Sequence, residues 1–123
     1  MAQPIPPDQL ARYRASAQQR EQARSQQRLE RQQQGLQVAQ RAAQVLKQDF
    51  QAHRVRLFGS LLDPRRVRAE SDVDLAVEGL ADSRYLEAVA QLLDLSSFSV
   101  DLVQWEYASP RLRTVIHQQG VDL

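Results

Sequence analysis

The sequence predicts an α/β (α+β) fold, in which a small β-sheet carries helices and is preceded by a long helical arm. Residues 9–50 consist mostly of Gln, Arg, Ala, Leu and Glu, all of which favour helices. Further along, three short segments have the apolar patterning of strands. The segments between and after them have apolar residues at helical spacing. With 123 residues, the chain is long enough for one main domain.

The helical arm is predicted from the uneven distribution of apolar residues around Gly35. Before Gly35 they are sparse, whereas after it they recur at helical spacing, as Leu36, Ala39, Ala42, Ala43, Leu46 and Phe50. We therefore predict a Gln/Arg-rich arm over residues 1–35 with few contacts, its helix capped by Asp8, and a packed domain over residues 36–123. The arm is by default a solvated helix. Partner docking and coiled-coil association stay open, because four apolar residues fall seven apart: Leu29, Leu36, Ala43 and Phe50.

Three strands are predicted in the second part of the chain. Arg54–Phe58 alternates between polar and apolar residues and ends at Gly59. Asp72–Glu78 places Val73, Leu75 and Val77 on one face and ends at Gly79. Ser99–Val103 is the third strand.

Two helices are predicted to pack on this sheet. The first begins at Asp82 or Ser83 and ends at Leu93, and its inward residues are Tyr85, Leu86, Val89, Leu92 and Leu93. The second begins with Ser109 as N-cap and Pro110 in the first turn, and Gly120 follows its end. Its inner face consists of Leu112, Val115 and Ile116.

Composition excludes several classes of function. The absence of cysteine rules out disulfides, zinc–thiolate sites and cysteine nucleophiles. The N-terminus does not resemble a signal peptide and no segment has the length of a membrane helix, so we expect a cytoplasmic protein without membrane contact. The formal net charge is +1, but it divides into +4 over residues 1–50 and −3 over residues 51–123. The acidic excess therefore belongs to the packed domain.

Three aspartates of that domain are the candidate catalytic residues. Asp72 and Asp74 face the same side of their strand, because side chains two apart on a strand point the same way. Asp101, on the third strand, can point into the same cleft. Two carboxylates about 5 Å apart repel by roughly 3 kcal/mol at an effective dielectric constant of 20. Either one of them stays protonated or a cation lies between them, and oxygen ligands without His or Cys favour Mg²⁺ or Mn²⁺.

Gly59 and Ser60 form a candidate phosphate-binding turn. A glycine after a strand lets the backbone approach a phosphate closely, and the amides that follow can donate to it. The turn is not a P-loop, because the chain contains no G-x-x-x-x-G-K segment. A hydrolase pair of Ser60 with His53 is disfavoured, because the G-x-S-x-G elbow is also missing.

These segments together resemble a known family. Phe58-Gly59-Ser60, Ser71-Asp72-Val73-Asp74-Leu75 and Val100-Asp101-Leu102-Val103 are similar to the motifs of the DNA polymerase beta-like nucleotidyltransferases. The greatest similarity is to the minimal nucleotidyltransferase (MNT) proteins, which are the antitoxins of HEPN-domain toxins. The resemblance extends from about Leu36 to Leu123.

The resemblance implies a small mixed β-sheet nucleotidyltransferase fold with flanking helices, and a role for each motif. Asp72, Asp74 and Asp101 would hold Mg²⁺ (or Mn²⁺), and Asp101 would also help to activate the attacking hydroxyl. Gly59, Ser60 and Ser71 would bind the triphosphate of ATP. The implied reaction transfers AMP to a hydroxyl, in this family a tyrosine, of a HEPN toxin with which the chain forms a hetero-oligomer.

The loop after Ser60 departs from the family pattern. Leu61-Leu62-Asp63-Pro64 replaces the usual small residue, arginine and glycine, and eleven residues separate Ser60 from Asp72, one more than is usual. Arg65 and Arg66, with Arg68, are candidates for the missing basic group on the triphosphate, and a plain solvated loop is equally compatible. The rebuilt loop favours one alternative function, a catalytically silent antitoxin that acts by binding alone. Nucleic-acid binding through the arm is disfavoured by its glutamates and scarce aromatic residues.

Overall fold

A computed structural model, which describes residues 4–123, begins with one long helix. Helix α1 spans Pro7–Asp49, about 65 Å at 1.5 Å per residue. Pro6 and Pro7 occupy its N-cap and first position, where proline loses no hydrogen bond. Asp8 was expected to cap the helix, but it lies inside the first turn, because the two prolines already set the start. The helix continues through Gly35, so the division into arm and domain at residue 35 stays a prediction.

The remaining elements form a four-stranded mixed sheet with helices on both faces, which confirms the predicted fold class. Strand order is β3-β2-β1-β4; β1 is antiparallel to β2 and β4, and β2 is parallel to β3. The strands are β1 (Arg54–Phe58), β2 (Val73–Glu78), β3 (Val100–Gln104) and β4 (Val121–Asp122). The other helices are α2 (Tyr85–Leu93) and α3 (Pro110–Gln119), with short 3₁₀ helices at Ser60–Leu62, Asp82–Arg84 and Trp105–Tyr107.

One face of the sheet packs against α1 and α2 and forms the main core. Alternation in β1 and β2 directs Val55, Leu57, Val73, Leu75 and Val77 to this face, where all five are almost completely buried. The apolar side of α1 lies over them from Val38 to Leu46.

The opposite face is covered by α3 and has a much smaller apolar cluster of Phe58, Ala76 and Ile116. Arg56 is buried on this face, with its guanidinium 4.3 Å from the centre of the Trp105 ring and 3.9 Å from the Glu78 carboxylate. An arginine can be buried when it is stacked and paired, so this side of β1 faces protein at Arg56, whereas Arg54 at the start of the strand is exposed.

Three details of the helices and the sheet differ from the sequence-based expectations, and the N-cap of α3 agrees with them. Leu86 and Leu93 of α2 are exposed, and the side of this helix that packs on the core carries Ala88 and Leu92. Strand β4 was not predicted, because two residues carry no periodicity. Gly120 was expected one position beyond the C-cap of α3 but is the C-cap itself, in an extended conformation. Ser109 accepts the N-cap hydrogen bond from the Leu112 amide, as expected. Within residues 4–123, no helix combines the length and the apolar character needed to cross a membrane.

Candidate active site at the end of strands β1, β2 and β3

The turn after β1 places Gly59 directly against an aspartate. Phe58, the last residue of β1, pairs with Asp74 of β2. Gly59 has φ of +87°, and a Cβ atom built on it would lie 2.3 Å from Oδ2 of Asp74. Both the left-handed backbone and the lack of space require glycine here. Ser60 then begins a 3₁₀ helix, in which the amide of Leu62 donates to the Gly59 carbonyl at 3.2 Å.

The three aspartates lie on the α3 face of the sheet or at its edge. Asp74 of β2 and Asp101 of β3 are register partners in a parallel pair, so their side chains are neighbours on one face. Asp72 precedes β2 by one residue. Asp74 is half-buried, whereas Asp72 and Asp101 are exposed. Asp74 is therefore the inner carboxylate of the group.

The charge of Asp74 is unfavourable in this position. Burial raises the pKa of its carboxyl to about 6, and the charges of Asp101 and Asp72 add to the effect. Within the described part of the chain, none of the three carboxylates accepts a hydrogen bond or pairs with a basic side chain. A cation next to Asp74 would remove this electrostatic cost.

The donor chemistry fits a hard divalent cation such as Mg²⁺ or Mn²⁺, because the available ligands are carboxylate oxygens. The side chains as they stand do not form a ready-made cage: among residues 4–123, no three Asp, Glu or His side chains are grouped as metal ligands. Binding of a metal would therefore require the exposed carboxylates of Asp72 and Asp101 to turn towards Asp74. Their convergence to metal-bridging distance stays a prediction.

The loop between Leu62 and β2 contains the other candidate residues. The side chains of Arg65, Arg66 and Arg68 are exposed, and Nε of Arg65 is 3.4 Å from the Asp63 carboxylate. Ser71 is buried, and its hydroxyl accepts a hydrogen bond from the Arg68 amide at 2.7 Å. Ser71 thus fixes the loop that leads into Asp72. The roles of Ser71, Arg65 and Arg66 towards a nucleotide stay predictions.

His53 is remote from Ser60. It is exposed, precedes β1 and lies against Gly79, whereas Ser60 follows the other end of the same strand. The structure thus gives no support to a serine–histidine hydrolase pair.

Sequence reasoning missed two polar residues of α1 that contact the site loops. Gln32 donates to the Leu61 carbonyl at 2.7 Å, and Arg31 donates to the Ser71 carbonyl at 3.1 Å. Polar residues on a Gln/Arg-rich helix are ordinarily solvated, so their identity gave no signal. The available hint was Gly35, one turn further along, because a glycine inside a helix often marks a close contact.

Comparison with protein families gives one match. The model described as "Polymerase beta, Nucleotidyltransferase" matches residues 40–123, which include the turn at Gly59 and all three aspartates. No curated protein matches the chain.

Comparison with solved structures gives the same fold. A crystal structure of a toxin–antitoxin with AMP-PNP has a TM-score of 0.56 and 26% sequence identity, covering 67% of this chain and 69% of the other. The toxin–antitoxin MntA–HepT has a TM-score of 0.54 and 23% identity, covering 71% and 69%. A mutant form of such an MntA complex has a TM-score of 0.50 and 29% identity, covering 63% and 64%.

Proposed function

We propose a function from the premise that this chain belongs to the polymerase beta nucleotidyltransferase family, whose model matches residues 40–123. The chain is an antitoxin that transfers AMP from ATP to a hydroxyl, a tyrosine in our proposal, of a HEPN-domain toxin. The partner is proposed because similar structures are toxin–antitoxin complexes, among them MntA–HepT. The nucleotide is proposed because one of them, 26% identical, was solved with AMP-PNP, an analogue of ATP.

The observation that carries the proposal is the position of Asp74. It is the register partner of Asp101, lies against Gly59 and carries a negative charge that burial disfavours. The turn at Gly59 and the carboxylates of Asp74 and Asp101 therefore lie at the same end of the sheet. The turn can approach a phosphate, and a cation would stabilise the charged carboxylates. A solvated acidic surface would have neither the glycine contact nor the half-buried carboxylate.

Each group then has a chemical role. Gly59 and Ser60 hold the triphosphate through the backbone and the serine hydroxyl. Asp72, Asp74 and Asp101 hold divalent metal, which when bound neutralises charge on the phosphates. Asp101, one of the two exposed carboxylates, accepts the proton of the attacking hydroxyl. A bond forms between that oxygen and the α-phosphorus, the bond from the α-phosphorus to the bridging oxygen breaks, and pyrophosphate leaves.

Mass spectrometry of the toxin tests this proposal. The purified chain is incubated with ATP, Mg²⁺ and the proposed HEPN partner, and we expect the toxin to gain the mass of an adenylyl group on a tyrosine. Asp101→Asn should abolish the gain. Asp94→Asn is the matched control, because it removes one charge from an exposed aspartate at the end of α2. A complex that forms with the toxin but shows no transfer with Mg²⁺ or Mn²⁺ would refute catalysis.

A second candidate is an antitoxin that acts by binding alone. Two observations favour it: Leu61, which follows Ser60, is buried in the core, and no three acidic side chains in the described residues are preassembled as metal ligands. The two candidates differ in the effect of Asp72→Asn combined with Asp74→Asn on the growth of cells that express the toxin. Masking predicts full protection by this variant, whereas AMP transfer predicts loss of protection with binding retained.

A further inference from the structure

One turn of α1 holds both loops that carry the candidate active site, although α1 lies on the opposite face of the sheet from Asp74. Arg31, Gln32 and Gly35 supply the contacts. We infer that this turn is a positioning element, which sets the distance between the phosphate-binding turn and the aspartates. The catalytic part of the inference rests on the proposed function.

The first contact is with the turn after β1. The side-chain amide of Gln32 donates to the carbonyl of Leu61 at 2.7 Å, one residue after Ser60. The side chain of Leu61 is completely buried against Gly35, where a Cβ atom would lie 2.7 Å from Cδ1 of Leu61. The turn that carries Gly59 and Ser60 is therefore attached to α1 by a hydrogen bond and by close packing.

The second contact is with the segments that lead into the aspartates. Nη2 of Arg31 donates to the carbonyl of Ser71, the residue before Asp72, at 3.1 Å. The same guanidinium lies 3.7 Å from the centre of the Phe98 ring, three residues before Asp101. Since the Val73 amide donates to the Ser99 carbonyl at 2.9 Å, Arg31 contacts the entry to β2 and the entry to β3 where the two are joined.

The chemistry of Arg31 indicates that its side chain attaches α1 to the segment before Asp72, and does not only fill space. Its Nε atom is buried and has no hydrogen-bond partner among the described residues, which is unfavourable for a polar donor. An apolar side chain would cover the Phe98 ring without this cost. What arginine adds is a donor directed at the Ser71 carbonyl and a cation over the ring. Both interactions depend on direction, so they orient the loop that contains Ser71 as well as covering it.

The consequence concerns the geometry of the reaction. The triphosphate turn follows β1, whereas the carboxylates lie on β2 and β3 or directly before β2. The reaction requires their relative position to be held closely, since errors of about 1 Å can reduce rates by a hundredfold. Arg31 and Gln32 are adjacent in sequence, so one rigid helical turn sets both loops at once. We assign these two side chains as positioning residues, because neither contacts the substrate site itself.

Hydrogen exchange and kinetics on the full-length chain test the inference. The variants are Arg31→Met and Gln32→Met, which keep side-chain bulk and remove the donor. Arg31→Lys keeps a donor and the charge, and Arg20→Met is the control, since Arg20 is exposed on the same helix. We expect the two Met variants to raise amide exchange over residues 59–63 and 71–74 about tenfold, the effect of one lost hydrogen bond. Arg31→Lys should recover most of the protection, and Arg20→Met should match the wild type.

The kinetic readout separates positioning from a general structural role. For AMP transfer we expect kcat of the Met variants to fall about 10- to 100-fold, while the KM for ATP changes less than about twofold. Unchanged exchange over both loops would overturn the inference, as would raised exchange with unchanged kcat, or an equal rise throughout the chain. If the wild type transfers no AMP, the proposed function fails, and the exchange pattern still decides whether this turn positions the loops.

Discussion

The two faces of the central sheet are built from the same strands but differ in how they are packed. On the α1 and α2 side, twenty buried residues of the described range 4–123 form one continuous cluster. On the α3 side, the buried apolar cluster has three residues, and the same strands also place Arg56, Asp74 and Asp101 there. Hydrophobic burial contributes in proportion to area, so the folding free energy is concentrated on the first face.

This difference in packing explains how the fold tolerates the repulsion between acidic residues on the α3 face. Asp74 and Leu75 are adjacent in β2, yet Asp74 borders the candidate site and Leu75 is fully buried under α1 and α2. A domain of this size has a net stability of only about 5–15 kcal/mol. Acidic repulsion on the α3 face is tolerable because the opposite face supplies most of the stability.

The largest effect should follow removal of two charges from the α3 face. We expect Asp72→Asn combined with Asp74→Asn to reduce AMP transfer by a thousandfold or more, roughly the loss seen when groups that stabilise a transition state are removed. The metal-free fold should be at least as stable as the wild type, because repulsion is relieved. The measurements are transfer rate and thermal unfolding.

A ligand response provides the control for this double variant. Mg²⁺ and ATP together should raise the melting temperature of the wild type, because a ligand stabilises the state that binds it. The variant should show little change. Equal responses of both proteins would mean that the acidic group is an ordinary solvated surface and not a metal site.

A change on the other face should affect stability. Leu75→Ala should reduce the free energy of unfolding by about 2–5 kcal/mol, since it removes a completely buried side chain from the main core. Chemical denaturation measures the change. The matched variant is Asp74→Asn, one residue earlier, which should not destabilise the protein near neutral pH. If both substitutions reduced the free energy of unfolding equally, the two faces would contribute equally to stability. The conclusion that stability is concentrated on the α1 and α2 face would then be wrong.

The sequence was sufficient to predict three of the four strands and the family, because the residues that carry this information alternate or form short motifs. The apolar residues of β1 and β2 determine which face is buried, and Gly59, Asp72, Asp74 and Asp101 carry the family resemblance. The expectation of a polymerase beta-type nucleotidyltransferase is confirmed by the family match over residues 40–123. The metal and nucleotide roles of individual residues stay predictions.

The buried side of α2 and the contacts of Arg31 and Gln32 could not be predicted from the sequence, for physical reasons. Helix α2 has leucines on several sides, so periodicity did not distinguish buried Leu92 from exposed Leu86 and Leu93. The contacts of Arg31 and Gln32 depend on where a loop distant in sequence comes to lie. Composition describes the average behaviour of a polar helix, whereas such contacts are set by tertiary structure.

The smallest expected effect is a pH dependence of the free energy of unfolding that arises from Asp74. The pKa of this carboxyl is about 6 in the folded chain, above its ordinary value of 3.8. Between these two values the folded state binds more protons than the unfolded state, so the wild type loses stability as pH rises from about 4 through 6. Asp74→Asn has no such titration. In EDTA at pH 7.5 it should therefore be more stable than the wild type by about 1–2 kcal/mol, a value reduced for solvent screening.

Denaturation at several pH values tests this sign. The stability difference between Asp74→Asn and the wild type should shrink as pH falls from 7.5 towards 4, because the wild-type carboxyl becomes protonated and resembles the amide. Asp94→Asn is the control, and its difference from the wild type should not follow this pattern. A difference that grows towards low pH would mean that Asp74 is stabilised as an anion in the folded chain. Adding Mg²⁺ at pH 7.5 should reverse the order of the two proteins, since a cation beside Asp74 favours the charged form.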